Sequence, residues 1–165
     1  MSVLISFAGL PCVGKSTIAR ALSVRTGAVY LRIDEIEAAI WALDPDRDIG
    51  PESYYIAAAL AVSNLGLGHT TIIDCVNPWD KTRQIFGDAA KRADARLLGV
   101  EIHCSDPVQH QSRVERREMD VPSRTKPDWQ KIVSRDYSPW TNADLTIDTA
   151  RVDVTKAVAE IVAQL

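Results

Sequence analysis

Gly9-Leu10-Pro11-Cys12-Val13-Gly14-Lys15-Ser16-Thr17 carries the most specific chemistry in this 165-residue chain. It satisfies the pattern G-x-x-x-x-G-K-[ST] in full. Glycines at its two ends let the backbone fold into a compact loop whose N–H groups turn inward onto phosphate oxygens. A helix opening at Lys15 adds the positive end of its dipole. Lys15 is then expected to reach the β- and γ-phosphates of a nucleotide, and the Ser16 hydroxyl to bind Mg²⁺.

Further along, single acidic and basic residues stand where chemistry could use them. Asp34 and Asp74 each close a short apolar run, Val29–Ile33 and Thr70–Ile73. Open parallel sheets place their ligand crevice at such strand ends. Asp34 also stands where a helix N-cap belongs; it reads either as a simple cap or as a carboxylate that is ionised at neutral pH and able to accept a proton. Arg113, Arg116 and Arg117 form a basic group, with Arg124 and Lys126 beyond. Arg113 and Arg117 are four apart, which puts them on one helix face. Phosphoryl transfer spreads negative charge over the γ-oxygens, and one of these two arginines is expected to meet it. Trp41, Tyr54, Tyr55 and Trp79 read either as stacking walls or, the more common use, as helix-core packing. His69, His103 and His110 lack metal-site spacing with Cys104 or with each other.

The elements that position these residues read as strand, helix, strand, helix. Strands are expected at Val3–Ala8, Val29–Ile33, Thr70–Ile73, Arg96–Cys104 and Leu145–Ile147. Helices are expected from Lys15 to about Thr26, from Asp34, from about Glu52 to Leu67, and over Lys81–Ala93, Pro107–Glu118, Asp128–Ser134 and Val152–Leu165. That alternation implies a parallel sheet covered on both faces, a three-layer α/β/α sandwich.

Composition narrows the class. The chain is 46% hydrophobic and 25% charged, which excludes disorder, a collagen-like fibre and a disulfide scaffold. A net charge of −3, from 19 basic and 22 acidic residues, argues against stable nucleic-acid binding by bulk charge. Three cysteines without paired spacing read as reduced thiols of a cytoplasmic protein. No apolar run approaches the ~20 residues of a membrane span. Residues 1–165 read as a single domain.

A phosphate loop alone does not separate GTPases, motors and kinases. Thr125-Lys-Pro-Asp128 matches a base-reading N/T-K-x-D by letters, but it follows no apolar strand. D-x-x-G does not follow Asp74 either, so the match is read as accidental. In order and spacing the sequence resembles the small P-loop kinases of the zeta-toxin, chloramphenicol phosphotransferase, polynucleotide kinase and nucleoside-monophosphate kinase families. The phosphate loop, the aspartate closing strand two, Asp74 and Asn77 after strand three, the arginine-rich segment and the strand in Ala143-Asp-Leu-Thr-Ile-Asp-Thr-Ala150 carry the likeness.

That resemblance implies a P-loop NTPase fold, strand order 2-3-1-4-5, and an arginine-rich lid over about 113–135. It implies an ATP- and Mg²⁺-dependent kinase for a small-molecule acceptor. In it Asp34 orients the acceptor hydroxyl and takes its proton. Asp74 holds Mg²⁺ through water or contacts the acceptor, and Asn77 and Arg83 lie on the acceptor side. Polynucleotide-kinase-like relatives often carry an arginine three residues after the first aspartate; here Glu37 stands there. The competing reading is a nucleotide-binding regulatory module or slow NTPase, which keeps the loop without an acceptor.

Overall fold

The computed structural model describes residues 2–120, 126 and 128–165. Five parallel strands form one sheet in the order β2-β3-β1-β4-β5. They are β1 (Val3–Ala8), β2 (Val29–Arg32), β3 (Thr71–Asp74), β4 (Arg96–His103) and β5 (Leu145–Asp148). The helices are α1 (Lys15–Thr26), α2 (Ile33–Leu43), α3 (Glu52–Gly66), α4 (Asp80–Arg92), α5 (Pro107–Arg116), α6 (Trp129–Val133) and α7 (Val154–Val162). The fold class and strand order match the expectation. Gly27 closes α1 at φ 72°, with its N–H on the Ser23 carbonyl, the left-handed cap a glycine supplies without a Cβ penalty.

Alternation along β1 divides the core in two. Val3, Ile5 and Phe7 face α1 and α7, packing with Ile18, Leu22, Ala157 and Ile161. Leu4 points the other way, into a layer built from Ala57, Ala61 and Leu65 of α3 and Phe86 and Ala89 of α4. Strand side chains alternate faces, so one buried strand feeds both layers. The alanines let α3 lie close to the sheet.

This division opens the site. The chain leaving β1 enters α1 on one face, and the chain leaving β3 enters α4 on the other. Adjacent strands whose connections part in this way leave a crevice at their carboxyl ends. The Gly9 N–H donates to the Val76 carbonyl at 3.0 Å, which ties the two exits together at the crevice floor.

Two boundaries differ from the sequence reading with consequence. Asp34 is not the N-cap of α2: the cap position is Arg32, in extended conformation, and Asp34 lies within the first turn. Helix α5 ends at Arg116, and Arg117 is its extended C-cap at ψ 123°. The shared helix face expected for Arg113 and Arg117 therefore does not exist. Part of the expected lid, residues 121–125 and 127, and with it Arg124, lies outside the described residues.

Candidate active site

A cleft of about 1750 Å³ opens at the carboxyl end of the sheet. Single-ligand pockets run to roughly 1,000 Å³, so this one has room for two substrates. The phosphate loop forms one side, with Lys15, Ser16 and Thr17 on the lining.

The loop is held from outside. The Thr149 hydroxyl lies 2.7 Å from the Val13 carbonyl, and Arg113 Nη1 donates to the same carbonyl at 3.3 Å. His110 Nε2 donates to the Pro11 carbonyl at 2.8 Å. A trans peptide is planar with its N–H opposite its C=O. Pinning the carbonyls of Pro11 and Val13 outward therefore aims the N–H groups of Cys12 and Gly14 the other way. Gly14 caps α1 with no side-chain hydrogen bond, leaving the helix start to an outside anion.

Backbone conformation explains the residue choice. Gly9 has φ 144° and Gly14 φ 108°, both outside the range a side chain tolerates. A Cβ on Gly9 would lie 2.1 Å from the Ile102 carbonyl oxygen. Cys12 takes φ 66° without being glycine, a strained position of the kind that clusters at ligand clamps.

Lys15 is buried and donates from Nζ to the Leu10 carbonyl at 2.7 Å. Burial lowers its pKa below the usual lysine value, while the charges of Asp74 and Asp34 offset part of that fall. An arriving phosphate would add counter-charge beside this ammonium.

Across the cleft, Asp34 and Asp74 both reach the lining, and a buried cation links them. Arg32 ends β2 with its side chain 2% exposed. Its Nη2 lies 3.3 Å from Asp34 Oδ2, and its Nε 3.8 Å from Asp74 Oδ2. Tyr30 donates to Asp74 at 2.7 Å, and burial followed by the Asp74 charge pushes that phenol above its ordinary pKa. Burial works against the Arg32 charge, but hydrogen bonds to Asp120 and the charges of Asp34, Asp120 and Asp74 outweigh it and raise its pKa. The sequence reading missed Arg32. Its signal was an arginine inside the otherwise apolar strand Val29-Tyr-Leu-Arg-Ile33.

The two candidate arginines divide their work. Arg113 is committed to the fold: it binds Val13 and Gln109, and both the carbonyl and the hydroxyl of Thr149. Arg117 lies on the cleft wall with Nη1 3.4 Å from Cys12 Sγ. Thr149 and His110 complete the clamp on the loop, and neither had a local sequence signal.

Two expected acceptor residues lie elsewhere. Asn77 is fully buried at φ 49°, donating from Nδ2 to Ser6 Oγ at 3.1 Å. Arg83 donates from Nε to the Asn77 carbonyl at 3.2 Å and from Nη2 to the Ser138 carbonyl. Its guanidinium stacks 5.3 Å from the Trp140 ring. Neither is on the cleft lining. The left-handed turn at Asn77 explains this, because it leads the chain into α4 behind the crevice. Of the four aromatic candidates only Trp41 lines the cleft. Tyr54 packs on Phe86, Tyr55 is exposed, and Trp79 donates to Asp136.

Among the described residues no group of three or more His, Cys, Asp or Glu could hold a metal. No described helix is long and apolar enough to cross a membrane.

Comparison with solved structures gives the same architecture. A presumed kinase from Chloroflexus aurantiacus superposes with a TM-score of 0.78 at 18% identity, over 99% of this chain and 95% of that one. A sugar kinase from a Janibacter species gives 0.69 at 16%, over 99% and 94%. The Mycobacterium tuberculosis APS kinase, in complex with AMPPNP and APS, gives 0.65 at 15%, over 98% and 96%. No curated protein matches in sequence. The model of one family, described as an AAA domain, matches residues 4–133. With its phosphate loop, its 2-3-1-4-5 sheet and those structural likenesses, the chain belongs to this AAA domain family and has the fold of small P-loop kinases.

Proposed function

We propose that the protein is an ATP- and Mg²⁺-dependent kinase that transfers the γ-phosphoryl group to the hydroxyl of a small acceptor. The carrying observation is one cleft with a pre-shaped anion loop on one side and the paired carboxylates Asp34 and Asp74 on the other. A nucleotide module or slow NTPase would need the first and not the second.

In this reading the amides of the phosphate loop and Lys15 hold the β- and γ-phosphates. Ser16 and Asp74 are the residues that would hold Mg²⁺, which neutralises phosphate charge when bound. Asp34 accepts the proton of the acceptor hydroxyl as its oxygen attacks the γ-phosphorus and the bond to the β,γ-bridging oxygen breaks. Arg117, on the same wall as Cys12, faces the charge that develops on the transferring group. Each part contributes by position and electrostatics.

The test is ADP release with Mg²⁺ and ATP across a panel of small hydroxyl acceptors. Wild-type protein should show acceptor-stimulated turnover that Lys15→Ala loses. Turnover identical with and without every acceptor, alongside normal nucleotide binding, would instead support the regulatory module.

A further inference from the structure

Two arginines from separate elements converge on one carboxylate inside the cleft. Arg32 Nη1 lies 2.6 Å from Asp120 Oδ2 and its Nη2 3.2 Å from Oδ1, a fork meeting a fork. Arg20, on α1, places Nη2 2.7 Å from the same Oδ2. Arg117 Nη2 lies 3.9 Å from Oδ1.

Stability gives little reason for this arrangement. A buried guanidinium is costly to desolvate, and apolar replacements of buried ion pairs are often neutral or stabilising. Arg32 Nε is buried without a hydrogen-bond partner among the described residues. A charge kept at such cost and left partly unsatisfied suits recognition better than packing. Its carboxylate partners also differ. Asp34 and Asp74 belong to α2 and β3, whereas Asp120 follows α5 and is 40% exposed.

We propose that Arg20 and Arg32 form a recognition site for an oxyanion on the phosphoryl acceptor, a carboxylate or a phosphate monoester, and that Asp120 occupies it as an internal competitor. The proposal rests on the kinase reading and narrows its substrate class. Guanidinium forks match the planar edge of a carboxylate and two oxygens of a phosphate equally well. The same Arg32 Nη2 reaches Asp34, so the acceptor's anion docks beside the carboxylate that receives its hydroxyl. The acceptor then carries charge and reactive hydroxyl on one small molecule. Hydrogen bonds from Arg32 and then Arg20 hold the Asp120 carboxyl far below the ordinary carboxylate range, so the competitor stays ionised at any working pH. Its occupancy weakens apparent acceptor affinity by the fraction of open sites.

The full chain, with ADP and Mg²⁺ filling the phosphate loop, is titrated with malonate and with inorganic phosphate at constant ionic strength. Binding is read by calorimetry. Asp120→Asn should tighten one of the two anions at least fivefold, and Arg20→Gln should weaken it by a similar factor. Arg32→Lys should lose it although the charge is kept. Arg20 is half exposed, so Arg20→Gln keeps the test open if the Arg32 variant fails to fold. The preferred anion separates the carboxylate from the phosphate source. Equal binding by wild type, Asp120→Asn and Arg20→Gln overturns the proposal, as does no anion binding by Asp120→Asn. A second arm measures ADP release with glucose, gluconate and glucose 6-phosphate. Preference for a charged member, with KM lowered by Asp120→Asn, supports the proposal, and preference for glucose overturns it. The titration decides alone if none of the three turns over. Failure to bind ADP would sink the kinase reading, a result distinct from both.

Discussion

The two sides of the cleft are built by opposite strategies. The nucleotide side is a contiguous stretch of nine residues whose carbonyls are clamped by neutral or fully committed groups, His110, Thr149 and Arg113. On the side proposed for the acceptor, Asp34, Asp74, Arg32, Arg20 and Asp120 come from separated elements and meet as charges. A common cosubstrate needs a rigid, prepaid shape, whereas an acceptor has to be distinguished from other metabolites. In the proposed reading, charges with exchangeable partners would supply that discrimination, because a mismatched ligand leaves them unpaired.

Substitutions that break one side and spare the other sharpen this contrast. The largest effect belongs to the loop. Gly9→Ala drives a Cβ into the Ile102 carbonyl at a φ an alanine resists. Nucleotide binding measured by calorimetry should disappear, and Lys15→Ala should reduce transfer below detection while the thermal midpoint holds. Next comes Arg117→Ala, for which ADP release should fall by about 10³, the lower end for an arginine at a transferring phosphoryl group. Retained turnover would show that Arg117 does not face the reacting phosphate.

Asp34→Asn should then cost about 10²-fold in kcat, within the range for a lost general base. Its KM for ATP should stay within about twofold, because Asp34 belongs to the other side of the cleft. Arg113→Lys should do the reverse. Losing the planar fork on Val13 and Thr149 should weaken nucleotide binding about tenfold with kcat less affected. A drop in kcat alone would move Arg113 from the clamp to the chemistry.

The smallest effect is in pH. Burial, followed by the Arg113 and Lys15 charges, lowers the His110 pKa against the pull of its bond to Pro11. A base with a depressed native pKa binds fewer protons folded than unfolded. Its contribution is whole above about 6.5 and is lost as pH falls through that value toward the native pKa. Stability followed by urea melts should decline slightly from pH 6.5 downward, and His110→Gln should flatten that slope.

Legibility followed the same division. The loop was readable because its geometry is local: glycine, lysine and hydroxyl at fixed offsets encode a turn and a helix start. The layers were readable because strands and helices alternate along the chain and the apolar run Val3–Ala8 marks a strand buried on both faces. Asn77 and Arg83 were misplaced because a left-handed turn redirected α4, and neighbouring letters do not announce the sign of φ. Arg117 was put on a helix that ends one residue earlier.

By itself the amino-acid order determined what short-range sterics and periodicity control: the phosphate loop, the strand and helix alternation, and the parallel sheet. Only the tertiary structure decided which distant charges share one space. It buried Arg32 among Asp34, Asp74 and Asp120, and it turned Arg113 into a clamp. The physical reason is that a backbone turn depends on residues a few positions apart, whereas an ion pair across 88 positions depends on how the sheet and helices pack.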